Sequence, residues 1–104
     1  MLDKIKKMLG VTPKVDMKAW MAQGAIILDV RSKGEFQSGH IKNAINIPLQ
    51  ELPNRISKLS KDKPIITCCA SGMRSASAKS FLLSNGFSKV LNGGGWASLQ
   101  RQLS

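Results

Sequence analysis

The chain has 104 residues, enough for one hydrophobic core and too few for two. Its 42% hydrophobic and 21% charged residues are typical of a soluble globular protein, and no apolar run reaches the roughly 20 residues that cross a bilayer, so we expect no stable membrane insertion. The net charge of +10 favours small anionic ligands, but three Phe, two Trp and no Tyr leave few rings on which bases could stack, so we expect no nucleic-acid binding.

Residues 1–12 predict a short basic amphipathic segment ahead of a single domain at 13–104. If this segment forms a helix, its apolar residues lie on the side opposite its basic residues. The apolar residues are Leu2, Ile5, Met8 and Leu9, and the basic residues are Lys4, Lys6 and Lys7. The segment lacks the apolar core of a secretory signal, so we expect a cytoplasmic protein. Two adjacent cysteines cannot staple a fold, and with a single histidine they cannot supply a tetrahedral metal site.

The first half of the domain predicts two helices and two strands, and then a third helix. These elements are a helix at 17–23 capped by Asp16, a buried strand at 25–30, a short helix at 32–38, a strand at 44–47 and a helix at 49–60. Pro53 is tolerable in the last of these only within its first turn. The strand at 25–30 is apolar without alternation, which is typical of a parallel sheet covered on both faces.

The second half predicts a strand at 64–68, a helix at 75–85 ended by Gly86, a strand at 89–92 and a last helix at 96–103. Gly93, Gly94 and Gly95 are interpreted as a tight turn. Strands and helices that alternate with short connections favour an α/β fold, with a central, mostly parallel sheet of four to five short strands and helices on both faces.

The loop after the third predicted strand carries the chemistry. A helix that begins near Arg74 directs its free N–H groups at the loop, and the small residues Ala70, Ser71 and Gly72 allow the loop amides to form an anion-binding nest. A thiol at its mouth has a lowered pKa, and thiolate is the nucleophilic form. We expect Cys69 to be that nucleophile, and Cys68 to be an unreactive thiol inside the apolar strand.

Several stretches in order resemble the single-domain rhodanese family, from about residue 14 to the end of the chain. They are Ile27 to Arg31 with Glu35 and Phe36, Gly39-His40-Ile41 through Ala44 to Pro48, the loop Cys69 to Ser75, Gly86-Phe87 to Val90, and Gly94-Gly95. The resemblance implies a rhodanese-like three-layer sandwich and a sulfurtransferase. It implies that Cys69 takes a sulfane sulfur from thiosulfate or a similar small anionic donor, and carries it as a persulfide to a thiol or a protein thiol.

The resemblance also assigns supporting roles. The amides of the loop residues Ala70, Ser71, Gly72, Met73, Arg74 and Ser75 would hold the terminal sulfur, and Arg74 would bind the donor or order the loop. We expect Asp29 and Arg31, with His40 nearby, to be a hydrogen-bonded brace rather than an acid or base. No metal and no cofactor beyond the covalent persulfide is expected, and we expect a monomer.

Two alternatives stay open at this stage. Counted from Cys68, the segment to Arg74 has the spacing of cysteine-dependent phosphatases and of some arsenate reductases, in which a longer loop encloses a tetrahedral oxyanion. A rhodanese-like module could also bind a protein partner without catalysis, because a fold does not imply an activity. Met73 replaces a commonly polar residue and would make the rim of the pocket less polar.

Overall fold

The computed structural model describes residues 15–104, so the predicted amphipathic segment 1–12 lies outside the described residues. The helices are α1 (Met17–Ala22), α2 (Lys33–Ser38), α3 (Leu52–Arg55), α4 (Met73–Ser84) and α5 (Trp96–Leu103). The strands are β1 (Ile26–Asp29), β2 (Ile45–Asn46), β3 (Ile65–Cys69) and β4 (Val90–Gly95). None of the helices in this part of the chain has the length and apolar character needed to cross a membrane.

The strands form one sheet in the order β2-β1-β3-β4, and every neighbouring pair is parallel. The connections are short helical segments, which return the chain to the same edge of the sheet each time. The carboxyl ends of the strands therefore lie together, where loops and helix starts can form a site. The predicted α/β fold with a parallel sheet is confirmed, with four strands within residues 15–104.

Two apolar clusters cover the two faces of the sheet. On one face, β-strand side chains pack with Leu52, Leu59 and residues of α4; on the other face, they pack with residues of α1 and α5. Successive residues of a strand point to opposite faces, so β3 contributes Ile65 and Cys69 to the first cluster and Ile66 and Cys68 to the second. The two adjacent cysteines are thereby separated by the thickness of the sheet.

The segment 49–60 is not the single helix that its apolar spacing predicts. It consists of a 3₁₀ turn at Leu49–Glu51, the short helix α3 and a second 3₁₀ turn at Ile56–Lys58. Pro53 explains the interruption: in a helix begun at Leu49 its ring would meet the carbonyl of that residue, whereas in the first turn of α3 it is tolerated.

The predicted turn at Gly93, Gly94 and Gly95 is wrong, because β4 continues through all three residues. A Cβ on Gly93 would lie 2.8 Å from the Thr67 carbonyl oxygen, and one on Gly95 would lie 2.8 Å from the Ala70 carbonyl oxygen. Gly94 has φ of +78° beside an irregularity in the β3–β4 register, where a bulge inserts an extra residue in β4. The glycines therefore allow β4 to run very close to β3 and to the loop that follows it.

Candidate active site

Cys69 is the last residue of β3 and its sulfur lies under the loop that leads into α4. The Gly72 amide donates to its Sγ at 2.9 Å and the Ser75 amide donates at 3.4 Å, while the Ser75 Oγ lies 3.4 Å away. The sequence placed Cys69 just past the strand, whereas the structure pairs it with Gly95 of β4. The backbone of Cys69 is thus fixed by its pairing with β4, while its sulfur is contacted by the donors of Gly72 and Ser75.

The beginning of α4 explains these donors. The predicted start near Ser75 is two residues late, since the helix begins at Met73, after Gly72 at φ +106°. Gly72 has no side chain with which to cap the helix, and the Sγ of Cys69 accepts the Ser75 N–H that a capping oxygen usually takes. The sulfur therefore occupies the position at which the end of the helix favours negative charge.

The environment lowers the pKa of Cys69 from its ordinary value. Burial by itself raises the pKa, but the hydrogen bond between the sulfur and the Ser75 hydroxyl, together with those from the amides of Ser75, Gly72 and Ser71, outweighs that effect. A larger share of this thiol is therefore present as thiolate at neutral pH.

Cys68 has the opposite environment. It is fully buried in the apolar cluster on the far face of the sheet. Burial, and after it the negative charge of Asp29, raise the pKa of this thiol to about 12. A buried thiol that stays protonated is a poor nucleophile, so the structure does not favour the phosphatase or arsenate reductase alternative that begins at Cys68.

Two polar residues that the sequence did not single out hold the loop. Thr67 is buried on β3, and its hydroxyl donates to the Ser75 carbonyl at 2.8 Å. Asn92 lies on β4, where its Oδ1 accepts from the Ser75 hydroxyl at 2.6 Å and its Nδ2 donates to the Gly72 carbonyl at 3.2 Å. In both cases a polar residue within a predicted strand indicated a special role, but the sequence did not show which group it would bind.

Arg74 directs its guanidinium toward α2 rather than toward the Cys69 sulfur. Its Nη1 and Nη2 donate to the two carboxylate oxygens of Glu35 at 2.7 and 2.9 Å. This bond from Arg74, and then the bond from the Ser32 amide, lower the pKa of Glu35 to about 2. Of the two roles predicted for Arg74, this geometry favours ordering the loop.

Asp29 and Arg31 form a buried ion pair in which three guanidinium–carboxylate contacts measure 2.7 to 3.0 Å. Arg31 also donates to the Gly39 carbonyl at 2.7 Å and lies over the Trp96 ring at 4.7 Å, so it joins β1, α2 and α5. His40 directly follows Gly39; it is exposed, stacks on Phe36, and its Nδ1 is 2.7 Å from the Phe36 carbonyl. Among the described residues His40 makes no hydrogen bond with Asp29 or Arg31.

The outer part of the loop is open to solvent. Ala70 and Ser71 are exposed, and Met73 is 80% exposed beside the site. Within residues 15–104 no group of three metal-ligating side chains lies together. The arrangement provides one activated thiol, a set of backbone donors around it and an apolar residue at the rim.

The family model described as Rhodanese-like domain matches residues 14–102. The chain belongs to the rhodanese-like domain family. The thiosulfate sulfurtransferase GlpE of Pseudomonas savastanoi pv. phaseolicola is 35% identical over 89 residues, which are 86% of this chain and 84% of the relative. The predictions of the family and of a rhodanese-type sulfurtransferase as the enzyme class are confirmed.

Solved structures agree with this assignment. The human single-domain sulfurtransferase TSTD1 superposes with a TM-score of 0.73 at 25% identity, over 89% of this chain and 99% of that chain. A rhodanese with anions from E. coli gives a TM-score of 0.67 at 34% identity, over 71% of this chain and 89% of that chain. The rhodanese-like fold predicted from the sequence is therefore confirmed.

Proposed function

We propose that this rhodanese-like protein moves a sulfane sulfur from thiosulfate, or a similar small anionic donor, through a persulfide on Cys69 to a thiophilic acceptor. The observation that carries the proposal is the Sγ of Cys69, which accepts the Gly72 amide at 2.9 Å and the Ser75 amide at 3.4 Å. A relative that covers most of the chain is named a thiosulfate sulfurtransferase, which supports thiosulfate as the donor.

In the first step the Cys69 thiolate attacks the outer sulfur of thiosulfate. The new sulfur–sulfur bond takes its electron pair from the thiolate, the bond inside thiosulfate breaks, and sulfite leaves with that pair. The persulfide keeps one negative charge on its terminal sulfur, so charge and atoms balance. The amides of Gly72 and Ser75 already surround the Sγ of Cys69, and such preorganised donors are suited to stabilise a negative charge that moves one sulfur atom outward during transfer.

In the second step an acceptor thiolate attacks the terminal sulfur. The persulfide bond breaks, the Cys69 thiolate is regenerated and the acceptor leaves as a persulfide. The exposed Met73 at the rim supports an acceptor with an apolar surface, such as a protein thiol, since an exposed apolar side chain adds contact area for a larger partner. Arg74, already paired with Glu35, orders the loop during both steps.

The test is the intact mass of the protein after incubation with thiosulfate. We expect a gain of one sulfur atom in the wild type and in Cys68→Ser, and no gain in Cys69→Ser. The two variants are matched, because they make the same replacement at adjacent positions on opposite faces of β3.

Sulfur retained in Cys69→Ser and lost in Cys68→Ser would refute the assignment. Turnover of an aryl phosphate that requires Cys68 would indicate the phosphatase alternative. If the wild type shows neither sulfur loading nor phosphatase turnover, the result would favour a module that binds a partner without catalysis.

A further inference from the structure

The side chain of Asn92 makes three hydrogen bonds around the Cys69 loop. Its Oδ1 accepts from the Ser75 hydroxyl at 2.6 Å and from the Gly94 amide at 2.9 Å, and its Nδ2 donates to the Gly72 carbonyl at 3.2 Å. One residue of β4 thus contacts Gly72 and Ser75, whose amides both donate to the sulfur.

These contacts permit only one orientation of the Asn92 amide. If its oxygen and nitrogen exchanged places, Oδ1 would face the Gly72 carbonyl, and Nδ2 would face the Gly94 N–H. Both contacts would then join groups of the same kind, acceptor to acceptor and donor to donor. Oδ1 is therefore held facing Ser75.

The Ser75 hydroxyl has one proton and three neighbours that could accept it. Asn92 Oδ1 is at 2.6 Å, the Gly72 carbonyl oxygen is at 3.1 Å and the Cys69 Sγ is at 3.4 Å. When Cys69 is a thiol, the S–H donates to Ser75 and Ser75 donates to Asn92. When the sulfur is negatively charged, Ser75 can donate to it only by giving up its bond to Asn92, which leaves two oxygens 2.6 Å apart without a proton between them.

We propose that Asn92 is a positioning residue for sulfur transfer: by competing for the Ser75 proton, it limits how strongly the loop stabilises negative charge on the sulfur at Cys69. The inference rests on the proposed function in taking Cys69 as the sulfur carrier. A thiolate that is stabilised less is a better nucleophile once it is ionised, so Asn92 favours attack on the sulfur donor by the ionised sulfur of Cys69.

The charged groups near the loop do not account for this effect. Arg74 on α4 is paired with Glu35 on α2, and Asp29 of β1 is paired with Arg31. These pairs are the same in every variant used below, so their contribution cancels when variants are compared.

The test is a double-mutant cycle on the pKa of Cys69, measured as the pH dependence of its alkylation by iodoacetamide in a Cys68→Ser background. We expect Asn92→Ala to lower this pKa by about one unit, which is about a tenfold rise in the thiolate to thiol ratio, because Ser75 becomes free to donate to the thiolate. In a Ser75→Ala background the same change is expected to have no such effect. Asn85→Ala is the control, since that asparagine is exposed and its side-chain amide donates to the Phe81 carbonyl of α4, away from the Cys69 loop.

If Asn92 only holds the loop through Gly72, its removal will loosen the amides and raise the pKa of Cys69, whether or not Ser75 is present. A raised or unchanged pKa, or an effect that persists in Ser75→Ala, overturns the proposal. Alkylation needs no sulfur donor, so failure of sulfur loading in the mass experiment would not be confused with failure of this cycle.

A second measurement does not depend on folding of the Asn92 variant. In the wild type the Gly94 amide proton resonance is expected to shift downfield as Cys69 ionises, since among the described residues the Gly94 amide is then the one donor left on Oδ1 once the Ser75 hydroxyl turns away. Ser75→Ala should lose most of this shift. A Gly94 shift that is the same in both proteins contradicts the proposal.

Discussion

The close approach of β4 to the loop gives a sharp test of how the site is held. An alanine at Gly95 would place its Cβ 2.8 Å from the Ala70 carbonyl oxygen, although ordinary contact begins near 3.4 Å. The backbone of Gly95 has φ −67° and ψ 134°, which any residue can adopt, so the collision is the only obstacle. The Ala70 peptide must therefore move by about half an ångström.

That movement acts directly on Cys69, which precedes Ala70 in the chain. A shift of this size lengthens the 2.9 Å bond from the Gly72 amide to the sulfur, and we expect the pKa of Cys69 to rise and kcat/KM to fall about tenfold. Overpacking should also cost about 1–3 kcal/mol of unfolding free energy. The loss of activity should exceed what partial unfolding explains.

The assays are thiocyanate formation from thiosulfate and cyanide, the pH dependence of Cys69 alkylation, and urea unfolding. Gly34→Ala is the matched control: its Cβ would meet nothing within 4 Å, and a helical alanine should stabilise α2 by about 0.5–1 kcal/mol. A folded Gly95→Ala protein with wild-type kcat/KM and an unchanged Cys69 pKa would refute the view that β4 sets the loop geometry.

Two further predictions concern the supports of the loop. The pKa of Glu35 is lowered in the folded protein to about 2, so its stabilising ion pair with Arg74 is present above about pH 4.5 and is lost as the pH falls toward 2. The pair is partly exposed and screened, so Glu35→Gln should cost at most about 1 kcal/mol in urea unfolding at pH 7; a cost that does not shrink on acidification would contradict this. Thr67→Val should cost about 0.5–1.5 kcal/mol, because it removes the 2.8 Å hydrogen bond to the buried Ser75 carbonyl, whereas Thr67→Ser should retain most of the stability; equal stability of the valine and serine variants would show that this hydrogen bond contributes little.

Local patterns predicted most of the elements because each depends on residues close in the chain. The last helix has its predicted bounds and Asp16 caps α1 as predicted, whereas Ser32, predicted as the first residue of the next helix, is the cap of α2. The glycine run was misinterpreted because a turn and a close approach both call for residues without a Cβ. Which of these applies depends on what lies opposite, and here it is β3 and the Ala70 carbonyl.

The preference for Cys69 over Cys68 rests on both the sequence and the structure. The apolar strand and the small-residue loop already indicated Cys69, but the tertiary structure supplied the physical reason, which is that alternate residues of β3 face opposite sides of the sheet and only one side carries the beginning of α4.

The amino-acid sequence by itself determined the parallel α/β fold, the family and the loop that holds the sulfur, since these follow from hydrophobic pattern and contiguous motifs. Only the tertiary structure decided that Glu35 binds Arg74 and that Asn92 contacts Ser75. These partners are 39 and 17 residues apart in the sequence, and they meet because the sheet brings strand ends and helix starts together. A local sequence pattern cannot predict a contact between residues so far apart in the chain.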